Sequence, residues 1–201
     1  MNLRSPADDL LPGARGQVVS ALAQLARPVT VRTLAKHAGV SAQTALGTVN
    51  DLSDVGLVRA ERAGQSLLVT LNREHLLADP LRALVETRGR LLSRLTDHLA
   101  EWRHLSAAWM FGSAARGDGD RHSDIDLLVV ADTSLDTDEW TTAVADLHRA
   151  VEAWTGNRLQ LVEHTRGSLA ELVGSQNPLV EAIRRDGLAL KPGSRSLLRQ
   201  R

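Results

Sequence analysis

Two apolar runs of strand length, residues 107–111 and 125–130, enclose a polar loop that opens with Gly112-Ser113 and closes with Asp124. Asp124 and Asp126 stand two apart where the second strand begins, so their carboxylates project from the same face. Two carboxylates held that close repel each other unless a cation sits between them. The chain must therefore present an acidic pair at the end of a strand, next to a Gly-Ser turn. Gly112 lets backbone approach a phosphate, and exposed amides with the Ser113 hydroxyl can donate to its oxygens. Arg116 is placed to reach phosphate or to orient the loop. Mg²⁺ suits two carboxylates together with the oxygens of a nucleoside triphosphate. In a two-metal arrangement one ion activates an attacking oxygen while the other steadies the leaving pyrophosphate.

The remainder of the 201 residues must supply a scaffold for this site. An apolar fraction of 43% supports a packed core, but with four Trp, one Phe and no Tyr that core rests on Leu, Val and Ala. The formal net charge is zero, so a basic surface for nucleic acid has to be local. Cysteine is absent, which excludes disulfides and thiolate metal sites. The N-terminal residues lack a basic-then-apolar leader pattern, and no apolar run approaches the ~20 residues of a membrane span. The expectation is a cytoplasmic protein without a membrane partner.

Helical spacing of Val18, Val19, Leu22 and Leu25 predicts a helix from Ala14 to before Pro28. Thr30 caps a second helix stopped at Gly39, and Ser41 caps a third stopped at Gly56. Two alternating segments, 57–61 and 66–71, then form a hairpin around Gly64. Residues 76–102 carry a broad leucine stripe and read as one long helix, with Pro80 in its first turn and Asp79 as its cap. After the two strands around the loop come a helix from about Asp138 to Trp154, a third strand at 159–162, two short helices and a terminal strand near 187–190. The expected division is a loose arm over 1–12, a first domain over 13–75, a second over 76–191 and a frayed tail over 192–201.

Over about residues 76–190 the chain resembles the DNA polymerase β nucleotidyltransferase superfamily, in its small bacterial minimal nucleotidyltransferase branch. The resemblance rests on Gly112-Ser113, ten intervening residues and Asp124-Ile125-Asp126, with the branch's Arg116-Gly117 and the run Ser123-Asp124-Ile125-Asp126-Leu127 inside it. It implies Asp124 and Asp126 as catalytic metal ligands, and Gly112, Ser113, Arg116 and Ser123 around the nucleotide. The same family supplies a third carboxylate from a later strand. Here that strand reads Arg158-Leu159-Gln160-Leu161-Val162-Glu163, which puts Gln160 at the expected position. A neutral amide neither takes a proton nor holds a metal equally well. Glu163, three residues on, points to the opposite face unless the strand bulges or ends early.

The order helix, helix, tight turn, helix, hairpin over residues 14–71 resembles the winged helix-turn-helix of bacterial transcription regulators. That resemblance implies a recognition helix beginning at Ser41, with Gln43, Thr44 and Thr48 toward the major groove. Arg32 and Lys36 on the preceding helix, and Arg59 and Arg62 on the hairpin, suit backbone phosphates. Asp51, Asp54 and Glu61 offset them, so a winged helix used for protein contact is the competing reading. The fold expected is α+β in two domains: a winged helix-turn-helix, mostly α with a β-hairpin, and a mixed β-sheet flanked by helices.

These features imply a Mg²⁺-dependent transfer of a nucleoside monophosphate, from ATP first, onto a hydroxyl acceptor. Relatives in the branch imply a protein acceptor, often the cognate toxin of a toxin–antitoxin pair; antibiotic adenylyltransferases imply a small molecule, and an RNA end is the third option. The alternative is a DNA-binding regulator whose transferase-like domain only binds nucleotide, which Gln160 favours. A homodimer is left open. The seven His form no metal-ligand spacing, and the four Trp read as packing residues.

Overall fold

The computed structural model describes residues 1–132 and 134–198. The chain folds into two compact units, one of residues 4–87 with Asn2, the other of residues 88–201 with Met1 and Leu3.

In the first unit, α1 (Ala14–Gln24) is followed by β1 (Val29–Thr30), α2 (Val31–Ala38), α3 (Ala42–Asp54), β2 (Val58–Ala63), β3 (Ser66–Leu71) and α4 (Ala78–Val85). The side chain of Thr30 accepts from the Thr33 amide and that of Ser41 from the Thr44 amide, so both expected caps are made. Gly39 closes α2 in the left-handed region at φ 68°, which an L side chain rarely adopts. The three strands form an antiparallel sheet in the order β1-β3-β2. Val18, Leu22, Leu34, Val49 and Val69 are buried together as its core.

The long helix expected over 76–102 is broken. The segment α4 stops at Glu86 and α5 (Thr87–Ala100) begins directly after it. Ala78 is buried in the first unit's core and Leu81 packs against it, whereas Leu91, Leu95 and Leu99 enter the second unit's core. One apolar stripe thus serves two cores, and the units divide at 87/88 rather than near 72–79. Asp79 sits inside the first turn of α4 and makes no cap; Leu77 holds the N-cap position. The residues expected as a loose arm carry a short 3-10 helix, Pro6–Asp9, with Ala7 fully buried and Leu3 buried among α5 and its neighbours. A second 3-10 helix, Ser194–Leu198, buries Ser194 and Leu198, so residues 194–198 are not frayed. Residues 199–201 of the expected tail lie outside the described residues.

The second unit continues with β4 (Leu105–Phe111), α6 (Gly112–Arg116), β5 (Ile125–Ala131), α7 (Asp138–Thr155), β6 (Leu159–Thr165), α8 (Arg166–Gly174), α9 (Pro178–Asp186) and β7 (Leu188–Ala189). Its sheet has the order β6-β5-β4-β7 and is mixed: β5 and β6 run parallel, while β4 pairs antiparallel with β5 and β7. Helix α7 supplies the crossover that a parallel pair requires. Alternation along β5 divides the core in two. Ile125, Leu127 and Val129 pack with Trp140, Leu147 and Val151 of α7. Leu128 and Val130 pack on the other face with Leu169, Val173, Val180 and Ile183 of α8 and α9. Asp126 belongs by alternation to this second face, at its open end. No helix among the described residues is long and apolar enough to cross a membrane.

Candidate active site

The site is built where β4 ends and β5 begins. Phe111 pairs with Asp126 across these strands, so the turn after β4 lies against the acidic pair. Gly112 has φ 68°, and a Cβ there would come within 2.1 Å of Asp126 Oδ2. Only glycine satisfies both the backbone angle and the approach. The short helix α6 ends at Gly117, also left-handed at φ 79°, whose amide donates to the Ser113 carbonyl at 2.9 Å. The loop then folds back, and a Cβ on Gly119 would lie 3.2 Å from Ser113 Oγ. The Ser113 hydroxyl makes no hydrogen bond within the described residues.

Asp126 is half-buried, and its carboxyl is held above the ordinary carboxylate range. Desolvation is the larger cause, repulsion from Asp124 the second, and attraction from Arg116 partly offsets them. Asp124 itself is exposed. Arg116 donates from Nε to Asp118 at 3.1 Å, and its Nη1 lies 3.9 Å from Asp186 Oδ2 at the end of α9. A cation between Asp124 and Asp126 would relieve the strain that their proximity creates, so the pair fits a divalent ion completed by phosphate and water oxygens. No third ligand joins them: among the described residues no group of three His, Asp or Glu could hold a metal.

Strand register accounts for that gap. Gln160 is the pairing partner of Asp126 in the parallel ladder, and paired residues share a face. The neighbouring position on the site face is therefore an amide. Glu163 pairs with Val129 on the opposite face and accepts the Trp140 indole N–H at 2.6 Å. Strand β6 runs on without a bulge to Thr165, so Glu163 is neither at a strand end nor able to turn toward Asp126.

The loop is braced by residues that sequence patterns left unassigned. Asp120 accepts from the His122 amide at 2.8 Å and from Ser123 Oγ at 3.0 Å, while its own amide donates to Ser123 Oγ at 2.9 Å. The His122 amide, then the Ser123 hydroxyl, hold the Asp120 carboxyl below its usual range. Ser123, expected beside the nucleotide, has its hydroxyl engaged inside this turn. The spacing Asp-x-x-Ser is the signal that could have shown it. Asn157 is buried and donates to the Ser123 carbonyl at 2.8 Å, holding the run into β5. From α5, Arg88 Nε donates to the Ala114 carbonyl at 3.0 Å and Nη2 to that of Ala115, closing the end of α6. Arg88 carries no local signature, since it is one arginine among several on its helix.

Of the residues expected at a DNA surface, Ser41, Gln43 and Thr44 are exposed at the start of α3, and Arg32 and Arg62 are exposed as well. Thr48 is not. It is 8% exposed, on the face shared with Ala45 and Leu52, and its hydroxyl donates to the Thr44 carbonyl. Helical periodicity turns position 48 inward once Ala45 and Leu52 are core residues. Arg59 is exposed but paired with Glu74.

Residues 94–176 match the family described as Polymerase beta, Nucleotidyltransferase. The matched segment runs from within α5 through α8 and contains Gly112, Ser113, Asp124, Asp126 and Gln160. Among curated proteins none matches the chain. Two solved structures overlap it partially. One, a toxin–antitoxin crystal structure with AMP-PNP, shares 21% identity at a TM-score of 0.38, over 53% of this chain and 77% of the other. The second, a mutant of the toxin–antitoxin MntA-HpeT, shares 19% identity at a TM-score of 0.39, over 53% and 80%. Neither overlap is tight enough to carry function across. The family match falls on the acidic strand and the Gly-Ser turn that the geometry singles out, and over residues 94–176 the chain is similar to the polymerase beta-type nucleotidyltransferases.

Proposed function

We propose that this chain binds a Mg²⁺–nucleoside triphosphate, ATP first, at Asp124 and Asp126 and transfers its nucleoside monophosphate to a hydroxyl acceptor. One observation carries this reading: the Asp126 carboxylate is packed against Gly112, at the Gly-Ser turn, with Asp124 close enough to raise its pKa. Asp124 and Asp126 would hold the ion, which when bound neutralises phosphate charge and lowers the cost of bringing an oxygen nucleophile to the α-phosphorus. Ser113 and the amides of the turn bind phosphate oxygens, and Gly119 keeps the loop close over them. Arg116 adds a positive charge near the acidic pair. In the transfer, the acceptor oxygen forms a bond to the α-phosphorus as the bond to pyrophosphate breaks. Gln160 cannot take the acceptor's proton, which passes to solvent water as the pyrophosphate leaves.

A protein hydroxyl, as on a cognate toxin, is the acceptor that relatives in the resembled branch imply, and antibiotic adenylyltransferases imply a small molecule instead. The first unit is read as a winged helix-turn-helix that binds DNA. Helices α1, α2 and α3, the β1-β3-β2 sheet and the exposed Gln43 and Thr44 on α3 support this. The second reading, a regulator that binds nucleotide without transferring it, is favoured by Gln160 beside Asp126. Incubation with α-labelled triphosphates, Mg²⁺ and a cell lysate separates the two. Transfer that disappears in Asp124→Asn supports the enzyme. Retained nucleotide binding with no transfer supports the regulator.

A further inference from the structure

A cleft of about 930 Å³ opens among the end of α9, β7 and the C-terminal 3-10 helix. Apart from Trp109 its lining comes from residues 183–198, beyond the family match. That volume is ample for a small ligand. One wall is apolar, with Trp109, Ile183 and Leu198. The other is cationic. Arg184 is fixed, donating to the Leu198 carbonyl and to Glu181. Arg185 gives only its Nε to Asp186, at 3.0 Å, and Arg195 makes no contact within the described residues. Arg185 and Arg195 both line the cleft with guanidinium donors left over, groups suited to a phosphate's oxygens.

A second observation comes from Trp109. It is 1% exposed, and its indole N–H is buried without a hydrogen-bond partner. Buried donors are nearly always satisfied, and an orphan one lining a cleft is a position for a ligand's acceptor. The geometry points to a second ligand site here, one that takes an organic phosphate ester: a phosphate for Arg185 and Arg195, an apolar body for the wall of Ile183 and Leu198, and the ester oxygen as acceptor for Trp109. The site does not depend on the transfer reading. An ion-pair chain, Arg185–Asp186–Arg116, runs from it toward the acidic pair.

Phenyl phosphate titrated into the ¹⁵N-labelled full chain tests this through the indole N–H resonances, Trp109 being assigned by its loss in Trp109→Phe. The Trp109 resonance is expected to shift saturably with phenyl phosphate, less with inorganic phosphate, and not with phenol. Arg185→Ala and Arg195→Ala should each weaken the response by about tenfold, the worth of a charged hydrogen bond. Asp124→Asn should leave it intact. A resonance unmoved at millimolar ligand overturns the site, as does a shift that survives in the double arginine variant. A response that strengthens in Asp124→Asn would also overturn it, since loss of that carboxylate lowers the repulsion of phosphate only at the acidic pair. Inorganic phosphate binding as tightly as phenyl phosphate would remove the apolar half of the claim.

Discussion

Asp126 carries an energetic conflict that a bound cation would relieve. Its carboxyl is raised above the ordinary range by desolvation and by Asp124, so the folded state binds that proton more tightly than the unfolded chain does. Asp126 therefore favours folding at a pH below its folded pKa, and this contribution is lost as pH rises through that value. At neutral pH without divalent cations, Asp126→Asn should raise Tm and flatten its pH dependence between the two pKa values. A lowered Tm in a calorimetric scan would contradict the conflict. Gln160 is the complementary case. Gln160→Asp places a third carboxylate beside Asp126, and Mg²⁺ affinity should rise by about tenfold or more, the scale on which ligand-shell changes act. Titration calorimetry with Mg²⁺ alone reads it, and unchanged affinity would mean that position 160 does not face the ion. That Asp124 and Asp126 share a face was legible from strand alternation, and the Gly112 turn from its residue type; Gln160 stood out only against the resemblance to a family with a third carboxylate. Arg88, Asn157 and Asp186 were not. Each reaches the site across a distance in sequence that no local pattern encodes.

Elements were legible where apolar period and capping residue agreed. Thr30, Ser41 and Gly39 mark helix ends as their chemistry requires, and α7 runs from Asp138 to a left-handed Gly156. The failures share a cause. The break at Glu86, the buried Thr48 and the packed residues 194–198 are decided by which core receives a side chain, a tertiary choice on which periodicity is silent. Strand β6 shows the gain from the structure. Its length turns Glu163 from an uncertain acid into a partner for Trp140, on the face away from Asp126. Glu163→Ala should lower stability by about 1–3 kcal/mol through the unsatisfied indole, while Mg²⁺–nucleotide binding is kept. Denaturant unfolding and calorimetry check both halves, and loss of binding in a folded Glu163→Ala would return Glu163 to the site.

For the whole molecule, zero net charge sets the scale of any DNA affinity. Arg32, Lys36 and Arg62 are exposed cations of α2 and the β2–β3 hairpin with no acidic partner within the described residues, Arg59 being held by Glu74. Three phosphate contacts predict a slope of about −3 in log K against log salt, shallow for a DNA-binding protein. Mobility shifts on the DNA upstream of the coding sequence, across a salt series, measure it. A steep slope would call for basic surface that these residues do not supply, and no retardation at low salt would favour protein contact for this unit. The account as a whole rests on the acidic pair as a metal–nucleotide site. Calorimetric titration of Mg-ATP into the wild-type chain and into Asp124→Asn tests it most directly. Saturable binding that requires Mg²⁺ and weakens at least about a hundredfold in Asp124→Asn is the predicted result. A wild-type chain that binds none of the nucleoside triphosphates at millimolar concentration would contradict it.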